Sequence, residues 1–244
     1  MDEATIDDRE SESYRAVMTA LYESTIPFMI GGAFALREYT GIARQTKDLD
    51  IFCLPGDYEG ILRALADAGF ETSVVDANWL AKARDKSTYI DIIFNSANNQ
   101  CRVDQDWFKN AREIEFLGCT TLLTPAEELI WTKLYVQDRD RFDGADVLHM
   151  ILRCGSALDW SRLLQRMDLH WEVLLAHLLT FRFVYPSERE CVPEWIYTRL
   201  LERAASQNAL STPQDRICRG PLLSRTQYLV DVKDWGYEWG FKQS

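Results

Sequence analysis

Two glycines and two aspartates in one short stretch are the residues of this chain best placed to do chemistry. Gly31-Gly32 follows the apolar run Phe28-Met29-Ile30, and Asp48 and Asp50 stand two apart in Lys47-Asp48-Leu49-Asp50-Ile51-Phe52. If the second run is a strand, both carboxylates leave one face while Leu49, Ile51 and Cys53 point into a core. Carboxylates held side by side repel each other unless a cation sits between them. Mg²⁺ takes one or two carboxylates together with phosphate oxygens, so a strand-borne pair suits a metal-nucleotide site. The glycines point the same way: backbone N–H groups at a glycine turn that opens a helix attract an anion, and the missing Cβ atoms let phosphate approach. Each feature alone is ordinary, a turn or a solvated strand face; in the order strand, turn, helix, strand they are more specific. Arg44 and Lys47 lie just before the carboxylates, where they balance charge on a triphosphate or are simply solvated.

The elements that must position these groups follow from hydrophobic periodicity. Residues 13–24 form a helix with Tyr14, Val17, Met18 and Leu21 on one side, after an acidic, frayed 1–12. Strands are expected at 26–30 and 48–53, with a short helical pattern at 33–38 between them. Pro55-Gly56-Asp57 opens a helix to Ala68 that Gly69 closes. Further strands are expected at 70–75, 79–84, 89–94 and 113–117, with a helix or loop at 104–112. In Tyr89-Ile90-Asp91-Ile92-Ile93-Phe94 the one charge is Asp91. A carboxylate so placed is costly to bury unless it is paired with Arg or Lys, bound to metal, or turned to solvent.

Thr124-Pro125-Ala126-Glu127 starts a helix, with Thr as N-cap and Pro in the first turn. From there the pattern is helical, including 159–167, 171–181 and 194–205, followed by a polar linker at 206–215. The boundary falls near Leu122, giving domains 1–122 and 123–244 with a cleft between them. The stretch from Arg219 to Trp239 holds too many aromatics to stay solvated, so it packs back near the cleft, with Arg219 and Arg225 as phosphate or substrate contacts.

The chain has 244 residues, 47% hydrophobic and 27% charged, as in ordinary globular proteins. No apolar run approaches a membrane span, and Met1-Asp2-Glu3 is not signal-like. The 6 cysteines (53, 101, 119, 154, 191, 218) are scattered, which suits reduced thiols in the cytoplasm. With 3 histidines, His149, His170 and His177, all in helical patterns, a histidine metal cluster is not expected. A net charge of −11 argues against broad nucleic-acid binding but leaves room for a local basic groove.

Gly31-Gly32, a helix, then Thr46-Lys47-Asp48-Leu49-Asp50 resembles the signature of the polymerase-beta-like nucleotidyltransferase superfamily, in the form found in minimal bacterial enzymes and abortive-infection toxins. The resemblance covers 25–95 well and 125–150 loosely. It implies an α+β fold: a small mixed β-sheet core with flanking helices, then an α-helical C-terminal domain. It implies transfer of a nucleoside monophosphate from an NTP to an acceptor hydroxyl with release of pyrophosphate. By that resemblance Asp48 and Asp50 hold Mg²⁺ or Mn²⁺, and Asp91 completes the metal triad or acts as base. Gly31, Gly32, Arg44, Thr46 and Lys47 serve the triphosphate; Lys133 contacts it and Asp143 braces the site. The wider superfamily often has Ser after the first glycine; here Gly32 stands there, which removes a hydroxyl. The acceptor is left open among tRNA, protein and a small molecule such as an aminoglycoside. The alternative is an antitoxin-paired or regulatory protein of this fold with little catalysis.

Overall fold

The computed structural model describes residues 8–44, 46, 48–86 and 88–240. The chain divides into two compact units, Met1–Leu129 and Ile130–Ser244. The first contains α1 (Asp8–Ser24), β1 (Met29–Ile30), α2 (Gly32–Thr40), β2 (Asp48–Phe52), α3 (Tyr58–Asp67), β3 (Glu71–Asp76), β4 (Leu80–Arg84), β5 (Tyr89–Ile93), α4 (Gln105–Asn110), β6 (Arg112–Phe116) and β7 (Cys119–Leu123). Its seven strands form one mixed sheet in the order β3-β4-β5-β2-β1-β7-β6. β2 runs parallel to β5 and β1 parallel to β7, while the other neighbours are antiparallel.

Alternation fixes which face of the central strands is core. Leu49, Ile51, Ile90 and Ile92 are fully buried, whereas Asp48, Asp50 and Asp91 between them are partly open. The apolar stripe of α1 is buried as the spacing requires, through Tyr14, Val17, Met18 and Leu21. Tyr14, Phe34 and Phe116 meet edge to face at 5.9 and 5.1 Å, tying α1 and α2 to the sheet. α3 ends as its sequence predicts: Gly69 is left-handed at φ +93°, and the Phe70 N–H reaches the Leu65 carbonyl at 3.0 Å.

Some boundaries differ from the sequence reading. α1 begins at Asp8, inside the stretch expected to fray. The first strand keeps only Met29 and Ile30 of 26–30, because pairing with β2 and β7 begins there. β7 has no counterpart in the sequence reading, and it holds Leu122, paired with Met29 on one side and Glu113 on the other.

The second unit comprises most of α5 (Ala126–Leu134), which crosses the division, then α6 (Gly144–Cys154), α7 (Trp160–Arg166), α8 (Trp171–Val184), α9 (Glu194–Asn208), β8 (Ile217–Cys218), α10 (Leu229–Lys233) and β9 (Glu238–Trp239). Leu134, Val147, Ile151, Leu163, Leu174, Leu178, Phe181 and Ile196 supply its core. The Tyr135 hydroxyl meets His170 Nδ1 at 2.7 Å. Within this unit the C-terminal segment contacts the α5–α6 connection: β8 pairs with β9, the Gln137 N–H donates to the Leu223 carbonyl at 3.3 Å, and the buried Ser224 hydroxyl donates to the Asp138 carboxylate.

Candidate active site on the central strands

The sheet register assembles one row of chemistry. Asp50 on β2 lies opposite Asp91 on β5, and Asp91 lies opposite Lys82 on β4. On the other side of Asp50, the Gly31 N–H donates to the Asp50 carbonyl at 2.9 Å. Lys82, Asp91, Asp50 and the glycine turn therefore follow one another across adjacent strands, spaced ~4.8 Å apart. Lys82 Nζ reaches Asp91 Oδ1 at 2.8 Å, with side chains 40% and 14% exposed. The ion pair considered for Asp91 from the sequence is thus made, by a lysine that sequence reading did not single out.

The glycine turn is shaped by the same aspartate. Gly32 is left-handed at φ +54°, and a Cβ placed there would lie 1.6 Å from Asp50 Oδ2. Its neighbour Gly31 caps α2 without a side-chain hydrogen bond, and a Cβ there would lie 2.2 Å from the Phe52 ring. A serine at position 32 would collide with the Asp50 carboxylate, so this turn takes glycine. The start of α2 consequently lies directly against the Asp50 side chain.

Asp48, two residues earlier on the same face, is held by Thr46, whose hydroxyl donates to Asp48 Oδ1 at 2.8 Å. Thr46 thus orients a carboxylate. Arg44 is exposed, and Lys47 lies outside the described residues. The donor set of Asp48, Asp50 and Asp91 is the hard oxygen chemistry that suits Mg²⁺ or Mn²⁺. Among the described residues, no three His, Cys, Asp or Glu side chains are grouped to hold a metal, and Asp91 is engaged with Lys82. Nearby Cys53 is fully buried, and burial, with the Asp57 charge beside it, pushes its thiol up to about 12, so it stays protonated. Among the described residues the six cysteines are not joined in disulfides.

Lys133 and Asp143 come together in the helical unit, at 3.0 Å, joined by Asp146 at 2.8 Å. Asp143 and Asp146 stand at the start of α6, three apart, and that spacing was the available signal for the second partner. Burial raises the Asp143 carboxyl, but the Lys133 charge and then Arg141 more than offset it, leaving the group below its usual value of 3.8. Arg225 lies over the Trp239 ring at 5.4 Å, and the Arg219 charge sits beside His170.

No protein-family model and no curated protein sequence matches the chain. Among solved structures it is similar to the antibiotic-resistance factor ANT(2'')-Ia, at 15% identity over 83% of this chain and 97% of that one, with a TM-score of 0.48. An antigenic nucleotidyltransferase-like protein from Paracoccidioides brasiliensis shares 17% identity over 78% of this chain and 96% of its own, with a TM-score of 0.48. A lincomycin-bound lincosamide antibiotic adenylyltransferase shares 15% over 59% and 96%, with a TM-score of 0.41.

Proposed function

We propose that the chain is a metal-dependent nucleotidyltransferase. The observation that carries this reading is the in-register row of Gly31, Asp50 and Asp91, with the Gly32 turn set against the Asp50 carboxylate. Asp48 and Asp50 would hold Mg²⁺ or Mn²⁺, joined by Asp91. The ion would neutralise charge on the phosphates and steady the attacking and leaving oxygens. Gly31 and Gly32 would take phosphate oxygens at the start of α2, with Arg44 and Lys47 adding positive charge. Thr46 would keep the Asp48 carboxylate in place. An acceptor hydroxyl oxygen forms a bond to the α-phosphorus, the bond from that phosphorus to the bridging oxygen breaks, and pyrophosphate leaves. Asp91 takes the hydroxyl proton. In the helical unit, Lys133 would offer phosphate the N–H that Asp143 and Asp146 leave over, with Asp143 as its brace.

Titrating each NTP into the protein with and without Mg²⁺ tests this reading by calorimetry. Heat that requires the divalent ion is expected, and binding equal after chelation would remove the metal from the account. A second reading is a nucleotide-binding regulatory or antitoxin-paired protein with little turnover. The engagement of Asp91 by Lys82 favours it to the extent that the pair persists with nucleotide bound.

A further inference from the structure

Lys82 occupies a place that strand propensity does not explain. On β4 its neighbours Ala81 and Ala83 are buried, and the strand turns Lys82 to the face that carries the carboxylates. There it meets Asp91 Oδ1 at 2.8 Å, and Asp91 in turn lies opposite Asp50. Two like charges on adjacent strands destabilise each other, and a cation in the same row relieves them. Lys82 thus supplies, from within the chain, one of the two positive charges that a divalent ion would bring.

We propose that Lys82 is a resident counter-ion of the carboxylate row, competing with the divalent cation for Asp91. This deepens the nucleotidyltransferase reading and rests on its assignment of Asp48, Asp50 and Asp91 as the metal's carboxylates. Its physical basis is exchange. With Lys82 40% exposed, its ammonium can swing from Asp91 towards water, but Asp91, 14% exposed, then needs another cation in its place. A metal that takes Asp91 must first break this pair, so the lysine weakens metal binding in exchange for holding the metal-free row together. Lys82 is a positioning residue and touches no substrate in this account.

The test is calorimetric titration of MnCl₂ alone into the full chain, comparing wild type with Lys82→Met, Lys82→Arg and Asp50→Asn. Lys82→Met should bind Mn²⁺ about three- to tenfold more tightly, because the part-buried pair that the ion must break and a nearby positive charge are both removed. Lys82→Arg keeps the charge and should stay near wild type. The same Met variant should melt lower without metal and gain more from Mn²⁺ than wild type does. A lysine that merely stabilises the fold would lower the metal-free melting temperature and leave the Mn²⁺ affinity unmoved; that result, or weaker binding, overturns the counter-ion proposal. If wild type and Asp50→Asn take up Mn²⁺ equally, the metal assignment itself fails and the counter-ion proposal falls with it. A wild-type affinity that Asp50→Asn abolishes and Lys82→Met leaves unchanged removes only the counter-ion.

Discussion

Lys82 and Lys133 each stand beside a pair of aspartates, in opposite surroundings. Lys82 is 40% exposed beside Asp91, with Asp50 next in the row. Lys133 is 11% exposed, with Asp143 and Asp146 at 11% and 6%. The chemistry is the same, one ammonium and two carboxylates, but water reaches the Lys82 ammonium and hardly reaches that of Lys133, while Asp91 at 14% is nearly as closed as Asp143. In the open row the cation is exchangeable, which a metal site needs. In the closed cluster the three charges depend on one another for solvation, so each is part of the fold.

The sharpest way to break this contrast is to remove each lysine. Lys133→Met leaves two buried carboxylates without their cation and should cost about 3–5 kcal/mol, read from denaturant melts. A melt within 1 kcal/mol of wild type, on the order of an exposed pair, would show the cluster to be as exchangeable as the open row. The sequence resemblance gives Lys133 a triphosphate contact; clamped by two carboxylates, it also holds part of the fold.

The turn at the row gives a second comparison, between two glycines. Gly32 and Gly41 are both left-handed, at φ +54° and +75°, but a Cβ at Gly41 meets nothing within 4 Å. Gly41→Ala should cost only the backbone term, about 1–2 kcal/mol. Gly32→Ala should cost more and also weaken Mn²⁺ binding, because Asp50 must move. Equal losses in melts, with unchanged Mn²⁺ affinity, would mean that the turn does not hold the carboxylate.

Acid titration sharpens the contrast from the helical side. Burial lowers the imidazoles of His170 and His177 from the usual 6.5, in His170 with help from Arg219. Below 6.5 the unfolded chain binds protons that the folded chain refuses, so stability falls as pH drops, by at most about 1.4 kcal/mol per pH unit for each histidine. His177→Gln should flatten this slope in melts between pH 6.5 and 5. The lowered Asp143 carboxyl contributes stability above 3.8 that is lost as pH falls through its depressed folded value. A slope unaffected by His177→Gln would mean that the ring is not kept neutral by burial.

The sequence made much of the row legible and left out its most informative member. Asp48 and Asp50 sharing a face, and Leu49 and Ile51 facing the core, follow from a period of two. That Gly32 sits against a carboxylate does not follow, since its neighbour Asp50 comes from β2, eighteen positions on. Asp91 stood out because it interrupts an apolar run. Lys82 did not, because in Leu80-Ala81-Lys82-Ala83-Arg84 a lysine reads as ordinary strand surface. Its meaning depends on the pairing of β4 with β5, which is a tertiary choice. β7 escaped for the same reason: Cys119-Thr120-Thr121-Leu122-Leu123 has weak alternation and is a strand through β1 and β6.

The central claim is that the Asp50–Asp91 row transfers nucleoside monophosphate, and following the α-phosphate tests it most directly. The protein is incubated with each α-labelled NTP, Mg²⁺ and cell extract separated into RNA, protein and small-molecule fractions, alongside Asp50→Asn and Asp91→Asn. The account predicts label in one fraction with stoichiometric pyrophosphate, lost on chelation and reduced at least about 100-fold in Asp91→Asn while that variant remains folded. Label transfer that survives in Asp50→Asn and Asp91→Asn, or no transfer from any NTP into any fraction, would contradict it.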